Sequence, residues 1–348
     1  MEITNSSSCK VCVTGGAGFI GSWLVKKLLD KGYTVHATLR NLKDEARVDL
    51  LKSLPHANVR LVLFEADIYN KNEFDKAIQG CDFVFHVATP LQHHESSQYK
   101  NISEAAIGGV RNIAMACIES GTVKKLIYTA STVSASPLKE DGSGYKDFMD
   151  ETLWTSLNLP FSNNTDPRNT YTGSKTLAEK EILSYGNNGN GGGLEVVTLA
   201  CGLVGGDMLF SSTSTLQTLS IFISQLTDNT DAYYTLRFLE DLDGKVPIVH
   251  VDDVCEAHIF CMENPSITGR YLCASSYVST AEIANYYLQN YPEIHVKREY
   301  LDGPKREIKW ASTKLIDKGF VYRYDTKMIL DDCVKYARKM GYLQQKTS

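Results

Sequence analysis

Tyr171 and Lys175 are four positions apart in Tyr171-Thr-Gly-Ser-Lys175, which on a helix sets a phenol and an ammonium on one face, a turn apart. A nearby ammonium favours the ionised phenol, so such a pair can act as a general acid near neutral pH and give a proton to a carbonyl oxygen. The spacing by itself carries little weight. In 348 residues with 19 tyrosines about one such pair arises by chance, so the surroundings must decide. The deciding segment is Tyr128-Thr-Ala-Ser131, at the end of an apolar, β-branched run. That is the edge at which a parallel sheet holds ligands, and a serine hydroxyl there can orient the carbonyl. Thr132 is a rival for that role. The plainer accounts are a strand-end cap for Ser131 and an ordinary position on an amphipathic helix for Tyr171.

A proton donor of this kind is useful beside a hydride source, and the N-terminal segment has a place for one. Val11-Cys-Val-Thr-Gly-Gly-Ala-Gly-Phe-Ile-Gly-Ser22 spaces Gly15, Gly18 and Gly21 three apart, between the first apolar run and the first helical pattern. Glycines let the backbone turn tightly and approach a pyrophosphate, which the helix N-terminus then stabilises with its amides and positive end. A glycine-rich turn without a ligand is the bland reading; the position at the first strand–helix junction favours a dinucleotide. Phe19, Ile20 and Ile68 belong to the same expected cofactor wall. Nineteen residues past Gly21, where an NAD enzyme has a carboxylate for the ribose hydroxyls, stands Arg40. A carboxylate repels a 2′-phosphate, whereas a guanidinium binds it, so Arg40 implies NADPH/NADP+. Arg47 offers a second positive contact. Asp67, in Glu65-Ala-Asp-Ile68, either accepts a hydrogen bond from the adenine amino group or caps a turn.

The elements that must position these groups are legible as alternating patterns. Lys10–Thr14, Thr34–Thr38, Val59–Phe64, Phe83–Val87, Lys125–Thr129, Glu195–Leu199 and Pro247–Val251 read as strands. Ser22–Lys31, Ala105–Ser120, Tyr171–Tyr185, Thr280–Gln289 and Met328–Met340 read as helices. The alternation predicts an α/β fold, a Rossmann-type doubly wound parallel sheet with right-handed crossovers and a smaller interleaved C-terminal substrate lobe. The expected division is a dinucleotide-binding domain over 1–201 and a mainly substrate-binding lobe over 202–348, with 245–275 returning to the sheet. Ser156–Asn169 and Asn187–Gly193 read as surface loops. Phe210, Phe222, Tyr233, Tyr234 and Phe238 are either pocket wall for a flat aromatic substrate or plain core.

Composition excludes several classes. A net charge of −5 with no dense Lys/Arg run argues against nucleic acid or an anionic membrane surface. The start of the chain has no secretory pattern and no apolar run is long enough to cross a bilayer, so a cytoplasmic protein is expected, its nine cysteines free thiols. Cys9 and Cys12 form a C-x-x-C, but Cys12 falls inside a strand pattern and no second pair follows, so no metal site is expected. His86 sits at a strand end, and His250 and His258 flank a helix start at Asp252-Asp253, where capping is the simpler account. The expected partner is a small aromatic carbonyl compound, and the expected assembly a monomer or weak homo-oligomer.

Together these residues resemble the plant dihydroflavonol reductase, anthocyanidin reductase and cinnamoyl-CoA reductase group of extended short-chain dehydrogenases, over nearly the whole chain. The resemblance rests on Val13-Thr-Gly-Gly-Ala-Gly-Phe-Ile-Gly-Ser-Trp23, His86-Val-Ala-Thr-Pro90, Tyr171-Thr-Gly-Ser-Lys-Thr-Leu-Ala-Glu179, His250-Val-Asp-Asp-Val254 and Gly269-Arg-Tyr-Leu-Cys273. It implies that the glycine loop binds NADPH, that Arg40 holds the 2′-phosphate, and that Ser131, Tyr171 and Lys175 are catalytic, with Lys175 also on the nicotinamide ribose. Val87, Ala88 and Thr89 match a stretch that lines the cofactor. Departures narrow the group. Cinnamoyl-CoA reductases show Asn-Trp-Tyr-Cys-Tyr-Gly-Lys around the tyrosine, and this chain reads Asn169-Thr-Tyr-Thr-Gly-Ser-Lys175, which disfavours a CoA ester. Ser136, followed by Pro137, stands five residues beyond Ser131, where dihydroflavonol reductases place a substrate-binding Asn, and Cys201 replaces a frequent Pro after the sixth strand. An anthocyanidin-reductase-like enzyme of secondary metabolism is the expectation, with a dihydroflavonol 4-reductase-like or cinnamoyl-CoA reductase-like enzyme as the alternative within the group. A sugar-nucleotide epimerase or dehydratase with tightly held NAD, and a cofactor-binding regulator without turnover, are the alternatives from other classes.

Overall fold

The computed structural model describes residues 9–70, 72–90, 98–158, 166–186, 193–209 and 213–343. Its strands are β1 (Lys10–Thr14), β2 (Thr34–Leu39), β3 (Leu61–Glu65), β4 (Phe83–His86), β5 (Lys125–Ser131), β6 (Phe148–Met149), β7 (Glu195–Cys201), β8 (Leu203–Gly205), β9 (Val246–His250), β10 (Gly269–Cys273), β11 (Ser276–Val278) and β12 (Lys309–Trp310). Seven of them form one sheet in the order β10-β7-β5-β4-β1-β2-β3. The pairs β1–β2, β2–β3, β1–β4 and β4–β5 are parallel. The order reverses between β1 and β4, which creates the crevice where doubly wound sheets hold nucleotides. This is the expected Rossmann-type architecture.

Helices on both faces explain why the central strands read as continuous apolar runs instead of alternating ones. Val11, Cys12, Val13 and Thr14 of β1 are all fully buried. The helix Phe19–Asp30 buries Leu24, Val25, Leu28 and Leu29, which recur at helical spacing. It begins three residues earlier than the pattern suggested, because Gly18 serves as N-cap. The helix bearing the Tyr–Lys pair runs Asp166–Leu183, also longer than expected at its start; Pro167 lies in its first turn, where a missing N–H costs little. Tyr171 is therefore interior to the helix, on fixed backbone.

The chain divides into two compact units: Met1–Ala130 with Thr170–Leu199 and Cys255–Tyr271, and Ser131–Asn169 with Ala200–Val254 and Leu272–Ser348. The expected division has 1–201, 202–348 and a return to the sheet over 245–275. Residues 131–169 belong to the second unit, where β6 pairs in parallel with β12, Phe148 beside Lys309 and Met149 beside Trp310. The strand expected over Pro247–Val251 is β9, but it lies outside the seven-stranded sheet, parallel to β8 and antiparallel to β11. Cys255–Tyr271 belongs to the first unit, and β10 (Gly269–Cys273) lies in the seven-stranded sheet. Gly202, between β7 and β8, permits this change of sheet, since a Cβ there would lie 2.5 Å from the Pro247 carbonyl oxygen. Of the expected loops, 159–165 and 187–192 lie outside the described residues.

Lys125 at the start of β5 shows how the first unit fastens its last segment. Its side chain is 2% exposed and donates to the carbonyls of Cys261 (3.2 Å), Asn264 (2.9 Å) and Ile267 (3.0 Å), while Glu195 Oε2 stands 3.2 Å away. Cys261 lies in the last turn of the helix Val251–Glu263, and Asn264 and Ile267 lie between that helix and β10. Lys125→Met keeps the apolar stem but strands the buried carbonyls, so it is expected to lower stability by about 3 kcal/mol. Denaturant unfolding checks this; a loss below roughly 1 kcal/mol, the scale of one ordinary hydrogen bond, would show that the ammonium is replaceable.

Candidate active site

The turn after β1 is built from backbone. Gly15 has φ +68°, and a Cβ on it would lie 3.1 Å from Ala88 Cα; a Cβ on Gly21 would lie 2.2 Å from the Gly15 carbonyl oxygen. The first turn of the helix Phe19–Asp30 therefore stands directly on the glycine turn, and Gly18 N–H donates to Gly15 O at 2.9 Å. Gly18 is exposed, supplies no side-chain cap, and no acidic residue occupies the helix's first turn. An N-terminus left this way, with Phe19 and Ile20 partly exposed on it, fits the pyrophosphate of a dinucleotide. The Cys255 thiol donates to Ile20 O at 3.6 Å and steadies that turn from below.

Arg40 follows β2 and is exposed. Tyr69 is buried, and burial pushes its hydroxyl's pKa up, while the Asp67 carboxylate raises it further and the Arg40 guanidinium opposes this. Arg40 and Asp67 are thus both brought within electrostatic reach of one phenol, at the ends of β2 and β3. Asp67 Oδ1 accepts the Tyr69 amide at 3.1 Å, so the turn-capping role is present; Ile68 beside it is buried. Arg47 lies in the helix Glu45–Lys52, and its Nε stands 3.2 Å from Asp44 Oδ2. That pair is about one-third exposed and weak.

Between β1 and β4 lies a node that the sequence did not reveal. Thr14 Oγ1 is 2.8 Å from His86 Nδ1 and accepts the amides of Val87 and Ala88, both at 3.1 Å. A hydroxyl has one proton and two lone pairs. With both lone pairs taken by amides, the proton goes to Nδ1 and the imidazole is neutral, with its hydrogen on Nε2. Burial pushes the His86 pKa down to about 3, and the positive charge of Lys175 pushes the same way.

Lys175 is 5% exposed, and its Nζ donates to Thr89 Oγ1 at 2.9 Å and to Thr129 O at 3.2 Å. The ammonium also lies 5.3 Å from the centre of the Tyr128 ring. Tyr171, one turn earlier on the same helix, is 36% exposed. Glu179, one turn beyond Lys175, is fully buried and takes Arg270 Nε at 3.0 Å and Nη2 at 3.2 Å, with Thr198 Oγ1 at 2.7 Å. This bidentate pair ties the helix to β7 and β10. Ser131 ends β5, two residues after Thr129, and is partly exposed; its Oγ caps the short turn Thr132–Ser134. The rival Thr132 is buried at 2%.

The remaining residues singled out in the sequence fall as follows. His258 is not at a helix start but within the helix Val251–Glu263, fully buried, its Nε2 2.8 Å from Thr129 Oγ1. His250 does cap, Nδ1 accepting the Asp252 amide at 3.0 Å. Phe222 and Phe238 are core residues, Tyr233 packs on Tyr300 at 4.4 Å, Tyr234 is exposed, and Phe210 lies outside the described residues. Ser136 is buried, its hydroxyl spent on the Leu242 carbonyl. Cys201 is buried at 3%, and all nine cysteines are free and buried. No group of potential metal ligands and no helix long and apolar enough to cross a membrane occurs among the described residues.

The chain belongs to the NAD dependent epimerase/dehydratase family, whose profile matches residues 11–273. It is an oxidoreductase of the extended short-chain dehydrogenase type. A putative anthocyanidin reductase of Ginkgo biloba is 35% identical over 98% of this chain and 97% of its own length. A dihydroflavonol 4-reductase of Callistephus chinensis is 34% identical over 97% and 89%. Among solved structures, vestitone reductase from alfalfa superposes with a TM-score of 0.76 at 32% identity, covering 96% of this chain and 99% of that one. A yeast methylglyoxal/isovaleraldehyde reductase solved with NADPH shares the fold at 19% identity, with a TM-score of 0.72 and the same coverage of 96% and 99%.

His86 carries a pH consequence. Its folded pKa, about 3, lies below the unfolded value of about 6.5, so the unfolded chain takes up the proton first. The ring's contribution to stability is complete above pH ~6.5 and is lost as the pH falls toward 3, at up to about 1.4 kcal/mol per pH unit. His86→Gln is expected to flatten the fall of stability between pH ~6.5 and 4 relative to the unsubstituted chain, read from unfolding curves at several pH values. Parallel curves would mean that this imidazole is not held neutral.

Proposed function

We propose that this protein is an NADPH-dependent reductase acting on a carbonyl, or its conjugated equivalent, of a flavonoid-like aromatic metabolite, in the manner of an anthocyanidin reductase. The observation that carries the reading is the Lys175 ammonium, fixed between Thr89 Oγ1 and Thr129 O one helical turn from the accessible Tyr171 phenol. NADPH, when bound on the glycine turn, supplies the hydride that reaches the substrate carbon. Tyr171 gives its proton to the oxygen, Lys175 keeps the phenol ready to part with it, and the Ser131 hydroxyl orients the carbonyl. The alcohol product then leaves, and Tyr171 regains a proton from solvent.

Arg40 supports the choice of NADPH, with Arg47 able to exchange Asp44 for a phosphate oxygen. Gly15, Gly18, Phe19, Ile20 and Gly21 take the pyrophosphate, Asp67 and Ile68 the adenine side, and Val87, Ala88 and Thr89 the nicotinamide half. The near-full-length relatives named anthocyanidin reductase and dihydroflavonol 4-reductase support a flavonoid-type acceptor.

The test is NADPH oxidation against anthocyanidins, dihydroflavonols, cinnamoyl-CoA esters and simpler aromatic or terpenoid ketones. Turnover on the first class is expected; activity confined to sugar nucleotides with retained NAD would overturn the proposal. Arg40→Asp is expected to reverse the cofactor preference toward NADH, and equal kinetics with both cofactors in parent and variant would remove Arg40 from the ribose site. Tyr171→Phe is expected to bind NADPH normally and lose turnover by a factor on the order of 10²–10⁴. A variant at full rate would place the acid elsewhere.

A further inference from the structure

We infer that Thr89 is a positioning residue for the catalytic lysine: its hydroxyl accepts a hydrogen bond from the Lys175 ammonium and holds that charge in one place at the ends of β4 and β5. The inference rests on the reductase reading for the word catalytic, but not for the contact itself.

Lysine is a poor candidate for precise placement on its own. Its four-carbon stem carries about 2 kcal/mol of rotamer entropy and its ammonium has no preferred direction. An acceptor that orders it must itself be rigid, and Thr89 is rigid for three independent reasons. Its β-branched side chain has few χ1 states. Pro90 follows it, which confines the Thr89 backbone to extended conformations. The two preceding amides, Val87 and Ala88, are both held by Thr14 Oγ1 at 3.1 Å, and Ala88 Cα is close enough to Gly15 to exclude a Cβ there at 3.1 Å.

The second acceptor, Thr129 O at 3.2 Å, is strand backbone, and the Thr129 side chain is itself engaged by His258 at 2.8 Å. The ammonium is therefore clamped between two oxygens that cannot easily move. A continuous line of hydrogen bonds results, from His86 through Thr14 to the 87–89 backbone, then from Thr89 to Lys175 and Thr129. It links the glycine turn that would carry a cofactor to the ammonium beside the proton donor. Thr89 lines the expected cofactor site as well, but that role uses the hydroxyl's proton as a donor, whereas the lysine uses its lone pair, so the two are separable.

The experiment compares Thr89→Val, which keeps size and branching without the hydroxyl, with Thr89→Ser, which keeps the hydroxyl. The readouts are kcat with excess NADPH, the NADPH dissociation constant from fluorescence, and the titration of the Lys175 side chain by carbon NMR on ε-labelled lysine. Thr89→Val is expected to lower kcat about tenfold, to change the NADPH dissociation constant by less than about threefold, and to move the Lys175 titration down by about one pH unit, since the charged form loses an acceptor. Thr89→Ser is expected to recover most of the rate and the Lys175 titration. Weaker NADPH binding with kcat and the lysine titration unchanged would make Thr89 a cofactor contact only and overturn the inference. An intact Thr89-dependent lysine titration in a protein that reduces no carbonyl compound would uphold the positioning and overturn the reductase reading instead.

Discussion

The hydroxyl of Thr14 is the point on which the site depends. It is fully buried, ends β1, and satisfies three partners on the neighbouring strand's end: the His86 ring and the amides of Val87 and Ala88. Each bond contributes only about 1 kcal/mol net, yet leaving any of these groups unpaired in the interior costs more than the bond gains. The arrangement is therefore effectively all-or-none. It closes the crevice between β1 and β4 at its base and, through the 87–89 backbone, fixes the distance between the glycine turn and the groups that follow β4. A neutral His86 is a requirement of this geometry, because an imidazolium has no lone pair for the hydroxyl's proton.

The helix Asp166–Leu183 meets the same crevice with the two groups that would do chemistry, and it is held at both levels. Lys175 is clamped by Thr89 and Thr129 O, and one turn later Glu179 is locked to Arg270 and Thr198. A buried bidentate ion pair is a costly way to gain stability, but it sets helix register well, since sliding by one residue would bury an uncompensated carboxylate. Tyr171, one turn before Lys175, shares that fixed backbone. It can stay partly open to solvent while its backbone is fixed by what lies beyond it. The proton-donor role proposed for Tyr171 calls for rigid placement of this kind, and the chain is similar over nearly its full length to plant reductases.

The sequence determined more of the fold than of the site's supports. The parallel sheet was legible because buried strands such as β1 and β5 are continuous β-branched runs, and because Gly15, Gly18 and Gly21 sit at the one junction where such spacing has meaning. Tyr171, Lys175, Ser131 and Arg40 could be named for the same local reason: each stands at a strand end or on a helix face that its own neighbours define. What the tertiary structure decided were pairings across long separations. Thr14 with His86, Lys175 with Thr89, His258 with Thr129 and Glu179 with Arg270 join residues 72, 86, 129 and 91 positions apart, and no local pattern marks them. The same holds for β9, whose apolar run fits either sheet equally well. In the folded chain it pairs with β8 and β11, with Gly202 packed against the Pro247 carbonyl, and those partners are distant in sequence.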